Sequence, residues 1–207
     1  MLRTISIGSL AGLVGLLMPQ AYAHDTFTSM YAPAGYVQDL EMRVTHGCKG
    51  SPVNSVRIKI PEGVYRVTVA NSRDWTVETK IRKLDKPVPG DGGNMMTETV
   101  DEIIWSNPKS TLPAMGFYEG FKFRASLPNT PGVILFFKTI NGCVSGDDKY
   151  VDMPAAALDA KAADFPQKLR SFMFATPDPA PYIILEKPAR AQYPWSAGEP
   201  AKAAAKH

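Results

Sequence analysis

Short runs in which polar and apolar residues alternate, separated by segments rich in Pro and Gly, dominate the chain between residues 37 and 153. In residues 37–45, for example, Leu40, Met42 and Val44 share one face of an extended strand and polar side chains occupy most of the other. A strand with one apolar face is buried on that face alone, as in two antiparallel sheets packed together. The 16 Gly and 18 Pro residues supply the turns of such a fold. The pattern therefore predicts an antiparallel β-sandwich or barrel.

The same alternation predicts strands at residues 37–45, 55–60, 65–69, 76–84, 97–105, 117–125, 133–140 and 149–153. Turns are predicted in the segments 86–93, 107–108, 128–132 and 141–142. Residues 155–169 are rich in Ala, Asp and Lys and are predicted to form a short helix, whereas residues 188–207 lack apolar periodicity and indicate a loose tail. We therefore expect one sandwich domain at 24–155 and a partly flexible C-terminal extension at 156–207.

The first 23 residues have the three parts of a secretory signal peptide. Arg3 supplies the positive charge, residues 5–18 form the apolar region, and Ala21-Tyr22-Ala23 forms the cleavage site. A membrane anchor is disfavoured, because this apolar region is shorter than the roughly 20 residues that a spanning helix needs. We expect cleavage after Ala23, a periplasmic or secreted protein that begins at His24, and no membrane insertion after cleavage.

The sequence contains two cysteines, Cys48 and Cys143. An exported protein enters an oxidising compartment, where an even number of cysteines typically forms disulfides. We therefore predict a disulfide between Cys48 and Cys143. The alternatives are two free thiols or two thiolate ligands of a soft metal, and the latter would depend on the fold because the pair lacks C-x-x-C spacing.

Most enzyme classes and nucleic-acid binding are disfavoured by the residues available. The net charge is only +3 with basic and acidic residues interleaved, so we expect no nucleic-acid partner. The three histidines, His24, His46 and His207, are too few for a zinc-protease cluster, and H-E-x-x-H and G-x-S-x-G motifs are missing. The methionines form no M-x-M or M-x-x-M array, and we interpret them as packing and loop residues. The expected protein is not an enzyme.

His24 acquires its own chemistry if cleavage leaves it at the amino terminus. Its α-amine and its imidazole Nδ1 could then chelate one metal ion, and nitrogen donors in a tetragonal arrangement suit Cu(II). An α-amine has an ordinary pKa of about 7.7 to 8.0, so a metal readily displaces its proton at neutral pH. The alternative is a terminal histidine left there by chance.

His46 is the second candidate ligand. It lies at the end of the strand predicted at 37–45, two residues before Cys48. A disulfide at Cys48 would hold the backbone beside it, as a ligand position requires. The alternative is an ordinary surface or turn histidine.

Several segments together resemble the YcnI-like copper-binding domain family of bacterial exported proteins. They are His24 after the signal, Ala-Pro-Ala-Gly at 32–35, His46-Gly47-Cys48 with Gly50-Ser51-Pro52, and the segment 56–64. The resemblance continues through Trp75 and the segments 103–106, 118–124 and 143–154, and covers roughly 130 residues. The first block is fairly specific, whereas the later ones are mostly core aromatics of a sandwich.

The resemblance implies an all-β, immunoglobulin/cupredoxin-like antiparallel β-sandwich that binds Cu(II) through a single-histidine brace, the amine and imidazole of His24. It further implies a carboxylate from a nearby strand end and a tryptophan close to the metal. In this sequence His46 stands near the carboxylate position, Glu41 is the nearest acidic residue on the same strand, and Tyr150 stands where the tryptophan is expected. The predicted metal-site residues are therefore His24, His46, Glu41 and Tyr150. Glu41 as an exposed strand carboxylate and Tyr150 as a strand cap are the alternatives.

The function that these features predict is a non-catalytic periplasmic protein that holds Cu(II) for copper homeostasis or delivers it to another envelope copper protein. Two other classes remain. One is an oxidative copper enzyme with a histidine brace, of the polysaccharide monooxygenase kind, which also begins with a terminal histidine. The other is a metal-free adhesion or assembly module of immunoglobulin type.

Overall fold

A computed structural model of the chain describes residues 24–90, 94–109 and 111–190. The predicted signal peptide at 1–23 lies outside the described residues, as do residues 191–207 of the predicted tail. Strands account for 50% of the structure, and one short helix accompanies them.

Twelve strands and one helix follow one another in the described ranges. The strands are β1 (Thr26–Phe27), β2 (Tyr31–Pro33), β3 (Val37–Val44), β4 (Val53–Lys59), β5 (Tyr65–Val69), β6 (Thr76–Pro89), β7 (Met95–Ser106), β8 (Glu119–Ser126), β9 (Ile134–Phe136), β10 (Thr139–Cys143), β11 (Asp147–Tyr150) and β12 (Tyr182–Glu186). The helix α1 (Phe165–Ala175) lies between β11 and β12.

These strands form three sheets. A four-stranded sheet has the order β1-β3-β8-β5, and a five-stranded sheet has the order β11-β10-β4-β7-β6. All strand pairs in these two sheets are antiparallel. The third sheet, β2-β12-β9, combines one parallel and one antiparallel pair. The predicted antiparallel β-sandwich is confirmed.

The hydrophobic core lies between the four-stranded and five-stranded sheets. Met42 on β3 and Phe123 on β8 are buried from one side, and Ile58 on β4 is buried from the other. Across the two layers, Trp105 on β7 packs edge-on against Phe121 on β8, with ring centroids 5.3 Å apart. The alternating residues singled out in the sequence thus point into the interior.

Most predicted strands occur close to their expected positions, but residues 133–140 form two strands, β9 and β10, instead of one. Between them the chain passes from the three-stranded to the five-stranded sheet. The Phe137 N–H donates to the Pro181 carbonyl at 2.7 Å, and the carbonyl of Lys138 accepts from the Lys59 N–H at 2.9 Å. The apolar run at 133–140 therefore contains a change of partner strand, from β12 to β4, that its sequence does not reveal.

The turn predicted at 141–142 is wrong, because both residues lie inside β10 and pair with β4 and β11. The chain turns three residues later, where the Cys143 N–H donates to the Gly146 carbonyl at 3.0 Å and Gly146 adopts a φ of 80°. Pairing on both sides has overridden the local turn preference of Asn-Gly. Similarly, β6 continues to Pro89, into the turn predicted at 86–93.

The C-terminal region contributes a strand that the alternation did not predict. β12 lies beyond residue 155, the expected end of the sandwich, yet its Ile183 and Leu185 belong to the main hydrophobic core. The helix predicted at 155–169 occurs later, at Phe165–Ala175, where Pro166 in the first turn suits a helix start. Within the described ranges, no helix is long and apolar enough to cross a membrane.

Candidate metal centre

Strand β10 positions both segments that carry the predicted histidine ligands. Its residues Thr139, Asn141 and Cys143 alternate along the strand and are all buried, so their side chains share its inner face. Asn141 holds the segment that begins at His24, and Cys143 holds the segment that contains His46. One rigid strand therefore sets the relative positions of two segments that are separate in sequence.

The segment His46-Gly47-Cys48 is fixed by a disulfide and by close backbone packing. Cys48 and Cys143 form the predicted disulfide, with their Cα atoms 6.0 Å apart. The Gly47 N–H donates to the Ala114 carbonyl at 3.0 Å. A Cβ atom at position 47 would collide with the carbonyl oxygen of Ser51, so only glycine fits between His46 and the disulfide.

The segment beginning at His24 is held by a buried carboxyl group. Asp25 is 1% exposed, and its Oδ2 accepts a hydrogen bond from the Asn141 side-chain amide at 2.9 Å. Burial raises the pKa of Asp25 to about 7, although the hydrogen bond from Asn141 opposes this shift. Among the described residues, Oδ1 of Asp25 meets no hydrogen-bond donor. The contact still anchors the backbone next to His24.

Tyr150 connects the two histidines. It is buried on β11, opposite Thr139 of β10. Its ring lies edge-on to His24, with centroids 5.7 Å apart, and edge-on to His46, with centroids 6.4 Å apart. Burial, reinforced by the negative charge of Asp25, raises the pKa of the Tyr150 phenol, so the phenol stays protonated at neutral pH. His24, His46 and Tyr150, three of the four predicted site residues, thus lie in contact at one place.

The hydrogen bonds of His46 determine which nitrogen faces this cluster. Nδ1 lies 3.0 Å from the Gly47 carbonyl oxygen, which can only accept, so we assign the ring proton to Nδ1. Nε2 lies 3.2 Å from the Tyr150 hydroxyl oxygen, and with this tautomer it accepts a hydrogen bond from the hydroxyl. The lone pair of Nε2 therefore points toward Tyr150.

The charges around the cluster are close enough to influence one another. Burial lowers the pKa of His24, the charge of His46 lowers it further, and Asp178 acts in the opposite direction. Burial raises the pKa of Asp148, and the charge of His46 opposes that rise. The two imidazoles therefore share an environment bordered by carboxylates.

No group of three or more His, Cys, Asp or Glu side chains within the described part of the chain is arranged to hold a metal ion. A brace needs fewer side chains, because one terminal histidine supplies two nitrogen donors. His24 and His46 together would offer an amine and two imidazoles, a donor set that suits Cu(II). The residues present therefore fit the copper that the family resemblance implies.

The structure does not bring Glu41 to the histidines in any contact that it describes. The Glu41 carboxylate lies over Gly120 and faces Lys122, with Oε2 3.9 Å from Nζ. Trp75 is likewise elsewhere, packed edge-on against Phe121 in the core with ring centroids 5.0 Å apart. His207 lies outside the described residues. Of the predicted site residues, His24, His46 and Tyr150 form the cluster and Glu41 does not join it.

Asp25 and Asn141 were not predicted from the sequence. Asn141 was assigned to the turn predicted at 141–142, and no sequence signal singled out Asp25. Alternation along β10 would have placed Asn141 inward together with Cys143, and a buried asparagine requires a polar partner. That partner is Asp25.

Comparisons with known proteins place the chain in a family and confirm its fold. Residues 24–168 match the model of a family described as "Domain of unknown function (DUF1775)", to which the YcnI-like proteins belong. Among curated proteins none matches.

Two solved structures are similar to this chain. A crystal structure of an uncharacterized protein from Nocardia farcinica, described as revealing an immunoglobulin-like fold, has a TM-score of 0.53 and 15% sequence identity, and the match covers 79% of this chain and 99% of that one. The seventh ScaB type I cohesin from Pseudobacteroides cellulosolvens has a TM-score of 0.34 and 9% identity, covering 82% of this chain and 96% of that one. The former shows that the sandwich is immunoglobulin-like.

Proposed function

Given that the chain belongs to the DUF1775 family, we propose that it is an exported protein that holds Cu(II) as cargo where His24 and His46 meet Tyr150. The proposed donors are the α-amine and Nδ1 of His24 and Nε2 of His46. The role is copper homeostasis in the periplasm or outside the cell, with transfer of the ion to another envelope copper protein. The amine exists only if the signal peptide is cleaved after Ala23.

The observation that carries the proposal is the hydrogen bonding of His46. Histidines that bind metals typically donate their other ring N–H to a carbonyl or carboxylate, which fixes the tautomer and orients the ring. The Nδ1 of His46 has such an acceptor in the Gly47 carbonyl at 3.0 Å. The disulfide at Cys48 and the crowded backbone at Gly47 hold that carbonyl in place. This hydrogen bond supports His46 as a metal ligand, with Nε2 as its donor atom.

Tyr150 has a defined part in this proposal. Its hydroxyl lies 3.2 Å from Nε2 of His46 and interacts with the lone pair that copper would use. Its ring packs against both histidines and limits their movement. The phenol would withdraw from Nε2 when the ion binds, while the ring continues to shield the site from water.

The experiment is a Cu(II) titration followed by EPR on protein that begins at His24, with intact mass establishing the first residue. Three variants are compared with it: an additional Ala ahead of His24, His24→Ala, and His46→Ala. The added residue converts the amine into an amide nitrogen, so it should weaken binding nearly as much as His24→Ala although the imidazole remains. His46→Ala should remove one nitrogen from the spectrum.

His207→Ala is the matched control, since it removes a histidine that the proposed site does not use, and it should bind Cu(II) unchanged. Circular dichroism and thermal unfolding of each metal-free variant check that the sandwich is intact. If the extended protein binds Cu(II) as tightly as the mature one and with the same spectrum, the terminal brace is excluded.

A further inference from the structure

A cavity beside His24 lies between β1, the segment before β2, helix α1 and the segment before β12. Its volume is about 190 Å³. Its lining includes His24, Met30 and Met173 together with apolar side chains. The sequence analysis interpreted the methionines as packing residues, because no two of them form a ligand motif. The fold nevertheless brings two methionines from distant segments to one cavity with a histidine.

Both methionine-bearing segments are anchored to the sandwich. The carbonyl of Met30 accepts a hydrogen bond from the Ile184 N–H of β12 at 2.8 Å. Met173 lies on α1, where the adjacent Phe172 packs edge-on against Phe136 of β9 with ring centroids 5.9 Å apart. Backbone pairing holds one wall of the cavity, and an aromatic contact holds the other.

The lining favours a soft cation over a hard one. Phe27, Pro179 and Pro181 supply apolar walls, and none of the lining residues is Lys or Arg. The one carboxyl group in the lining, that of Asp25, is 1% exposed and already accepts a hydrogen bond from Asn141. Thioether sulfurs are soft donors that select Cu(I) among the biological transition metals, and imidazole also binds copper. A sphere of the cavity's volume is about 7 Å across, and methionine has three rotatable bonds with which to reach a central ion.

We propose that Met30 and Met173, together with the imidazole of His24, form a binding site for Cu(I). The site uses no α-amine, so it does not depend on where the mature chain begins or on the Cu(II) site proposed above. It lies next to that site and shares only His24 with it. The proposal concerns binding of the reduced ion alone and includes no electron transfer.

The methionines of β3 and β7 lie in different settings. Met42 is fully buried in the core between the sheets. Met95 and Met96 lie at the start of β7, paired with Pro89 and Val88 of β6. Met95 is exposed, as Met30 is, and Met96 is half-buried, as Met173 is. This second pair therefore provides a matched control.

The test uses Ag(I), a soft monovalent ion that needs no reductant and leaves the disulfide intact. Protein labelled with ¹³C at the methionine methyl groups is titrated with Ag(I) and followed by NMR, with Met30→Leu and Met173→Leu assigning the two signals. Both signals should shift together and saturate at one equivalent. Competition with bicinchoninate under anaerobic conditions, with ascorbate as reductant, then measures the affinity for Cu(I).

The double variant Met30→Leu/Met173→Leu preserves side-chain size and should keep the fold. Because even groups that only support a metal ligand are worth about 10- to 100-fold in affinity, loss of both thioethers should weaken Cu(I) binding at least about 100-fold. The control Met95→Leu/Met96→Leu should leave it unchanged, as should an additional Ala ahead of His24. The Cu(II) EPR spectrum of the Met30→Leu/Met173→Leu variant should match that of the unaltered protein.

Two results would overturn the proposal. The first is that Ag(I) shifts the signals of other methionines only, or of none. The second is that the Met30→Leu/Met173→Leu variant binds Cu(I) with unchanged affinity. Neither result would bear on the Cu(II) site, because that site is tested by the added residue and by His46→Ala. Conversely, if the Cu(II) proposal fails, the Ag(I) shifts at Met30 and Met173 still test the Cu(I) site independently.

Discussion

The region around His46 and the region around β12 are built by different means. The former is held by a disulfide and by side-chain hydrogen bonds that converge on β10. The latter is held by backbone pairing of β12 with β2 and β9 and by burial of its apolar side chains. In the former a few specific side chains fix the positions of donor atoms. Around β12, the burial of apolar area contributes most of the stability, and no single contact has to be of one particular kind.

This contrast predicts where substitutions act. Near His46, small changes should alter copper binding more than stability. Around β12, large-to-small changes should alter stability and leave the Cu(II) donors in place.

The largest effect is expected at Leu185 on β12, which is 1% exposed. Replacing a buried leucine with alanine removes apolar contacts and leaves a cavity, which costs about 2–5 kcal/mol. Leu185→Ala should therefore lower the free energy of unfolding by about that amount in a urea titration. If β12 were only an appended segment outside the sandwich, the loss would be far smaller.

Leu169→Ala on α1 is the control for this measurement. The helix contains no buried residue, and Leu169 is half-buried beside the groove between α1 and the three-stranded sheet. Its substitution should cost about 1 kcal/mol or less, because little area leaves the interior. Equal losses at both positions would contradict the distinction between a core strand and a peripheral helix.

An intermediate effect is expected for Tyr150→Phe, which keeps the ring and deletes the hydroxyl. Loss of the hydrogen bond to Nε2 of His46 should lower stability by about 1 kcal/mol. The same change removes the hydroxyl that competes with copper for Nε2, so Cu(II) affinity should rise by up to about tenfold, the factor that corresponds to 1.4 kcal/mol. Urea unfolding and competitive Cu(II) titration measure the two effects.

The sign of the affinity change separates two roles for Tyr150. A ring that packs beside the ion, with a hydroxyl that competes for Nε2, predicts tighter binding in the variant. A phenol oxygen that binds copper predicts weaker binding. Tyr118→Phe is the control, because Tyr118 is exposed and its ring contacts only the guanidinium of Arg43 among the ring contacts described. It should change neither the free energy of unfolding nor the Cu(II) affinity appreciably.

The sequence predicted the regions built from local signals and missed those built from long-range pairing. Alternation located β3 and β5 because one face of each strand is less exposed than the other, buried in β3 and half-buried in β5. β12 escaped because Tyr182–Glu186 contains three consecutive buried residues, so it shows no alternation. Asp25 escaped for a related reason, since only the pairing of β10 with its neighbours makes Asn141 face it. Similarly, nothing in the sequence relates Met30 to Met173.

The smallest effect is expected at Glu41, the predicted ligand that the structure does not bring to the histidines. Its carboxylate faces Lys122 at 3.9 Å across neighbouring strands, a partly exposed pair with side-chain exposures of 27% and 61%. Such pairs contribute about 0–1 kcal/mol, so Glu41→Gln should change the free energy of unfolding by about 0.5 kcal/mol or less. Lys122→Gln should have a similar effect, and the double variant should cost less than the sum of the two because both disrupt one interaction.

Cu(II) affinity and the EPR spectrum should be unchanged in Glu41→Gln, since its neutral amide is nearly the same size and the donor atoms lie elsewhere. A tenfold loss of Cu(II) affinity in Glu41→Gln, with Lys122→Gln unaffected, would instead place this carboxylate among the ligands and extend the site from the end of β3 along its outer face.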